Sequence, residues 1–179
     1  MSNAIRYNIY LTFDAATETA LQALRELLVA QVPGLPGVEG KMAPHLSLLV
    51  FDDEQQDLVI ERFWRFTREV TPIFVTLADV RTFSGRSPVL YIDVLKSNPL
   101  KTLYFSCLKH FRDSTILPAY RNPHNWRPHV TLAKRITPEL CAAAKAIAER
   151  EHSSRRATIN HLGLIDVRKP LDVLAEQTL

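Results

Sequence analysis

The sequence predicts a mixed fold of strands and helices, assembled from one structural unit used twice. Three observations predict it. Strand-like segments, helix caps and a pair of histidines recur at one offset of 84 residues. Each copy reads strand, helix, strand, helix, strand. The copies, roughly residues 5–84 and 89–168, account for almost all of a 179-residue chain. One unit alone leaves a sheet face uncovered, so two units related by a pseudo-twofold in a single domain, 1–179, are the physical expectation.

The elements follow in order. Arg6 to Phe13 and Val89 to Leu95 are β-branched and aromatic strands that align Tyr7 with Tyr91. Asp14 and Asn98 follow as helix N-caps, since a short side-chain oxygen accepts an orphan N–H of the first turn. Pro99 supports the second helix start. Leu21, Leu24, Leu27 and Leu28 mark the buried face of one helix, and Leu103, Leu108 and Phe111 that of the other. Pro44 to Phe51 and Pro128 to Ala133 are the next strands, with His45 and His129 in register. Asp53 and Thr137 cap the helices after them. Those helices carry Leu58, Val59, Phe63 and Phe66 in one copy and Leu140, Ala144, Ile147 and Ala148 in the other. Ile73 to Val80 and Ala157 to Val167 close the copies, and Leu171 to Leu179 adds a tail strand. Gly34 to Gly37 and Tyr120 to Asn125 read as loops ahead of the histidine strands, and Gly85 to Pro88 as a hairpin connection.

Composition narrows the class. Hydrophobic residues make up 46% and charged residues 23%, a globular rather than a disordered balance. No apolar run exceeds five residues (Leu140 to Ala144), so no transmembrane helix is expected. The N-terminus lacks a basic segment followed by an apolar one, and the expected location is cytoplasmic. The two cysteines, Cys107 and Cys141, fall in apolar helical patterns and read as buried reduced thiols. A net charge of +3 is compatible with an anionic partner without demanding one, and nothing demands an oligomer, so a monomer is expected.

Chemistry concentrates in the two histidine strands. Residues i and i+2 of a strand share a face, so His45 sits beside Ser47 and His129 beside Thr131, with Leu46, Leu48, Val130 and Leu132 behind. With six histidines in the chain, a random His-x-Ser/Thr-Leu is expected only roughly 0.1 times. Two occur, each preceded by Pro and at the repeat offset. Under a twofold, both polar pairs face one cleft. Two imidazoles on opposite sides of a phosphorus can run an in-line displacement, one taking a proton from water and one protonating the leaving oxygen. The hydroxyls can donate to the non-bridging oxygens. No carboxylate lies within or beside either motif, so a carboxylate-rich two-metal site has little support in the sequence, and the expectation is a site with no metal and no cofactor.

Pro44-His45-Leu46-Ser47-Leu48 and Pro128-His129-Val130-Thr131-Leu132 resemble the paired motifs of the two-histidine phosphoesterase superfamily, which includes bacterial 2′-5′ RNA ligases and cyclic nucleotide phosphodiesterases. Trp126-Arg127-Pro128 and Ala133-Lys134-Arg135 are similar as well. Ser47 stands where many ligase-type members carry Thr, and no Gly follows the first histidine strand. The resemblance implies an α+β bilobal fold, two antiparallel sheets with outer helices around a central cleft. It also implies metal-free cleavage of 2′,3′-cyclic phosphates on RNA 3′ ends or small nucleotides, and in some members 2′-5′ joining. His45 and His129 take the acid/base positions, and Ser47 and Thr131 the phosphate positions.

Further candidates lie around the motifs. Tyr7 and Tyr91 begin symmetric strands, where stacking on a base competes with packing in the sheet. Phe83 and Arg86 flank Gly85, positioned for a base and a phosphate. Trp126 and Arg127 precede the second motif at the expected cleft edge. Lys134 falls on the opposite strand face from Thr131 if the strand stays regular. His110 and His124 read as surface residues, His152 as a helix-end cation and His161 as structural. A module that binds RNA ends or nucleotides without turnover, and a metal-dependent hydrolase, are the rival readings.

Overall fold

The computed structural model describes residues 6–37, 42–53, 55–168 and 171–179; the opening residue of the first repeat lies outside them. The element order is β1 (Tyr7–Phe13), α1 (Ala15–Gln31), β2 (Leu46–Asp52), α2 (Gln56–Thr67), β3 (Ile73–Phe83), β4 (Val89–Val94), α3 (Asn98–His110), β5 (Thr115–Ile116), α4 (Pro118–Arg121), β6 (His129–Ala133), α5 (Pro138–Glu151), β7 (Arg155–Asp166) and β8 (Asp172–Thr178). Among the described residues, no helix is long and apolar enough to cross a membrane.

The fold is α+β, with antiparallel strands and helices packed against them. Hydrogen bonding joins what the sequence reads as two sheets into one network ordered β1-β2-β6-β4-β3-β7-β8, and β1 also pairs with β7. Six strands thus close into a ring. Exchanging β1 with β4, β2 with β6 and β3 with β7 leaves every pairing of that ring unchanged. β5 and β8 stand outside the symmetry, on β2 and β7.

The copies are not the two halves of the ring. β7 pairs with β3 over Arg155–Ile159, then with β1 and β8 over its second half. Each copy therefore lends its third strand to the other copy's pair. The helices exchange as well: α1 packs on α5 and β6, and α3 on α2 and β2.

Local sequence explains the elements. β1 alternates Tyr7, Ile9, Leu11 and Phe13 toward the helix-side core, with Asn8, Tyr10 and Thr12 on the other face. Asp14 caps α1, as expected, through Oδ1 to the Thr17 amide at 2.9 Å. Thr137 caps α5 by accepting from the Leu140 amide. Two expected caps differ. Ser97, one residue earlier than Asn98, accepts the Leu100 amide and starts α3. α2 starts after Gln55 without a side-chain cap: Asp53 stands two residues earlier, where its Oδ1 accepts the Gln55 amide at 3.0 Å and its Oδ2 accepts from Arg62 at 3.1 Å and Ser114 at 2.8 Å. Cys107 and Cys141 are free, buried thiols.

Candidate active site

The seam between β2 and β6 is narrow: Leu46 pairs with Val130, and the strands then separate. Antiparallel register places His45 opposite Thr131 and Ser47 opposite His129, all on the face away from Leu46 and Val130. In a regular ladder, diagonal neighbours such as the two histidines are about 7–8 Å apart at Cα. That separation leaves room for a phosphate.

Each imidazole is held the same way. His45 Nδ1–H donates to the Ala43 carbonyl at 3.0 Å, and His129 Nδ1–H to the Arg127 carbonyl at 2.7 Å. A carbonyl only accepts, so the proton of the neutral ring sits on Nδ1 and Nε2 is left with a lone pair. An aromatic edge backs each ring: Tyr10 lies 5.8 Å from His45 at 71°, and Tyr91 lies 5.2 Å from His129 at 64°. Phe83 stacks on Tyr91 at 4.2 Å and meets His129 edge-on at 5.0 Å.

The hydroxyls are supported from both sides of the sheet. Asn8 Nδ2 donates to Ser47 Oγ at 3.0 Å, leaving the Ser47 proton to donate elsewhere, and the Tyr120 phenol also reaches Ser47. Behind Thr131, Arg25 donates Nε and Nη2 to its carbonyl at 3.1 and 2.6 Å. Behind Ser47, Trp126 Nε1 donates to its carbonyl at 3.4 Å.

Electrostatics differ between the ends. Burial pushes His45 down to about 4; the Ala43 carbonyl opposes this, while the charges of Arg25, Lys134 and His129 add to it. His129 is also lowered, first by burial, but the Arg127 carbonyl and the Asp93 carboxylate pull it back up. Both rings are neutral at pH 7.

Two cavities flank the seam. One of about 670 Å³ is lined by Tyr10, Thr12, Ala43, His161 and Glu176. The other, about 630 Å³, is lined by Asp79, Arg81, Tyr91, Arg127 and the Lys145–Glu149 ion pair. Strand pairing relates them: Gly163 faces Tyr10 where Arg81 faces Tyr91. Among the described residues, no three His, Cys, Asp or Glu side chains are grouped to hold a metal ion.

His45, Ser47, His129, Thr131, Tyr91 and Phe83 are brought together. Arg86 stands exposed on the hairpin beyond Phe83, and Arg127 is exposed beside Tyr91. Tyr7 is not at the cleft. It is 0% exposed in the helix-side core against Phe51, because it lies an odd number of residues from Tyr10. Tyr10, opposite Ser47 as Tyr91 is opposite Thr131, is the residue that matches Tyr91. Trp126 is likewise buried behind the sheet, stacked on Tyr104 at 4.2 Å. Lys134 acts toward His45 after all: β6 ends at Ala133 and Arg135 adopts φ +58°, so strand alternation stops there. His161, read as structural, lines the Tyr10 cavity with Glu176 at 3.5 Å. His152 accepts no helix-end charge; burial lowers it, and Nε2–H donates to the Ala78 carbonyl at 2.7 Å. Asn8, Arg25 and Asp93 carry no motif that marks them in the sequence.

Solved structures share this architecture. TT0787 of Thermus thermophilus is 18% identical at a TM-score of 0.65, with 97% of each chain covered. E. coli LigT, crystallised with 3′-AMP, is 12% identical at 0.60 with 99% of each covered. Usb1 of Kluyveromyces marxianus is 14% identical at 0.52, over 94% of this chain and 97% of its own. At such identities the likeness is one of fold. No curated protein sequence matches this one. A family model does, across residues 13–170, a span that holds both histidine strands and the exchanged elements around them: the chain belongs to the 2′-5′ RNA ligase superfamily.

Proposed function

We propose that the protein is a phosphodiesterase that hydrolyses 2′,3′-cyclic phosphates on RNA ends or small nucleotides, using His45 and His129 as the acid/base pair. The observation that carries this reading is the matched Nδ1–carbonyl bonding, which leaves two Nε2 lone pairs on one face beside Ser47 and Thr131. One imidazole removes a proton from water as the water oxygen bonds to phosphorus. The opposite P–O bond breaks, and the other imidazole, entering protonated, gives its proton to the ribose oxygen. Water is consumed, and the product is a phosphomonoester. Ser47 and Thr131 donate to the non-bridging oxygens as their charge grows. The flanking cavities have room for a nucleoside, and Tyr10, Tyr91 and Phe83 offer aromatic surface beside the histidines. Crystallised complexes of E. coli LigT with 3′-AMP and with ATP support a nucleotide-sized ligand for this fold.

The test is turnover of nucleoside 2′,3′-cyclic monophosphates, and of a short RNA ending in one, with EDTA present. His45→Ala and His129→Ala should each lose at least about 10²-fold in kcat. Wild-type rates in either variant would overturn the acid/base assignment. Tight binding with no turnover across these substrates would favour a binding module instead.

A further inference from the structure

The two ends of the seam carry different charges, although the strands around them are related by the pseudo-twofold. In β4 the register partner of His129 is Asp93. The equivalent place in β1, one residue beyond the Leu11–Leu46 pair, is held by Thr12, which is uncharged and buried. Positive charge collects at the other end: buried Arg25 on the Thr131 carbonyl, and Lys134 beyond β6, both act on His45.

We propose, building on the hydrolytic reading above, that Asp93 is a positioning residue that holds the proton of the pair on His129, so that His129 is the acid and His45 the base. The geometry has a second consequence. The ribose oxygen leaves on the acid's side, which is the side of the cavity bearing Arg81, Arg127 and Lys145. Upstream phosphates on an RNA substrate then meet exposed Arg127, while Arg81 is held by Asp79 and Asp93 and Lys145 by Glu149, and the attacking water enters beside His45.

Among the described residues, the charged and titratable groups around His129 are few. Asp93 faces it from β4 and holds Arg81 of β3 at 3.6 Å, and Arg81 also reaches Asp79 at 3.5 Å. Lys96, past the end of β4, lies near both Asp93 and Arg127. Tyr91 and Phe83 present ring edges, and His45 faces it across the seam.

Asp93→Asn keeps the shape and removes the charge. Its effect is read two ways: the His129 and His45 ring protons are titrated by NMR without substrate, and kcat/KM is measured on a nucleoside 2′,3′-cyclic monophosphate at pH 5 and pH 8. The expected result is a fall of about one pKa unit at His129, against a much smaller change at His45. At pH 8, above both transitions, the rate is proportional to the protonated fraction of the acid. It should therefore fall about tenfold, by the same factor as the titration, with Asp93→Glu restoring most of it. At pH 5 the loss should be smaller. An unmoved His129 titration overturns the proposal. So does a His129 shift with no loss at pH 8, because that pattern makes His45 the acid. If the wild type turns over no cyclic phosphate, the hydrolytic reading fails. The NMR titration then decides by itself whether Asp93 polarises the pair.

Discussion

His45 and His129 owe their reactive form to main-chain carbonyls two residues behind them, and burial then sets when they ionise. A base must be neutral and an acid protonated. With His45 at about 4 and His129 below its ordinary range, kcat/KM should rise with pH through about 4 and fall again before pH 6.5. A pH–rate profile with both limbs below that value checks this. Tyr10 rests on Gly163 so closely that an added Cβ would stand 2.1 Å from its ring carbon Cζ. Gly163→Ala must displace the ring that backs His45. It should cost about 1–3 kcal/mol, seen as a lower Tm, and should reduce turnover through His45. The sequence identifies His45, Ser47, His129 and Thr131 because a short motif repeated at a fixed offset survives loop differences. It misassigns Tyr7 because the repeat offset drifts. Tyr10, opposite Ser47, and Tyr91, opposite Thr131, stand 81 residues apart where the histidines stand 84 apart, and strand parity turns Tyr10, not Tyr7, to the cleft. Asp93 and Arg25 are identifiable only once the register across strands is known.

At the level of single elements, α1 is tied to the sheet at its first turn. Asp14 caps the helix through Thr17 and also accepts the Thr158 amide of β7 at 2.8 Å. Burial would raise its carboxyl, but the hydrogen bonds from Thr158 and Thr17 lower it overall. That stabilisation is present above the unfolded carboxylate value and is lost as pH falls through the lower folded one. Asp14→Ala should therefore cost about 1–2 kcal/mol at neutral pH, with a smaller difference from wild type in acid, as denaturant titrations at both pH values would show. Element identity was readable because periodicity and caps agree over long stretches: five α/β elements per copy appear where the pattern puts them. Helix starts were less readable. Asp53 looks like a cap by residue type, yet the helix starts two residues later, and its carboxylate accepts from the Gln55 amide, Arg62 and Ser114 instead. Nothing local announces β5 or α4, which are short and depend on β2 for their edges.

Across the whole molecule, charge and connectivity are arranged around one seam. Arg127 and Lys145 line the same cavity. Arg127→Ala should raise KM for a short RNA ending in a cyclic phosphate by several-fold at low salt while leaving a cyclic mononucleotide nearly unaffected, and the RNA effect should shrink as salt is added; Lys145→Ala should do less, because Lys145 is already paired with Glu149. The recurrence of strands, caps and histidines at one offset is visible in the sequence, but the crossing of β3, β7, α1 and α3 between the two sets of strands is not, since periodicity says which residues form a strand and not which strand lies beside it. The exchange has a consequence for how such a chain can be cut. Severed at the exposed Gly85 hairpin, either piece would carry open strand edges and a helix whose partner surface is on the other piece. Neither should fold alone. Co-expressed, the two pieces should recombine into a nicked heterodimer whose seam is whole.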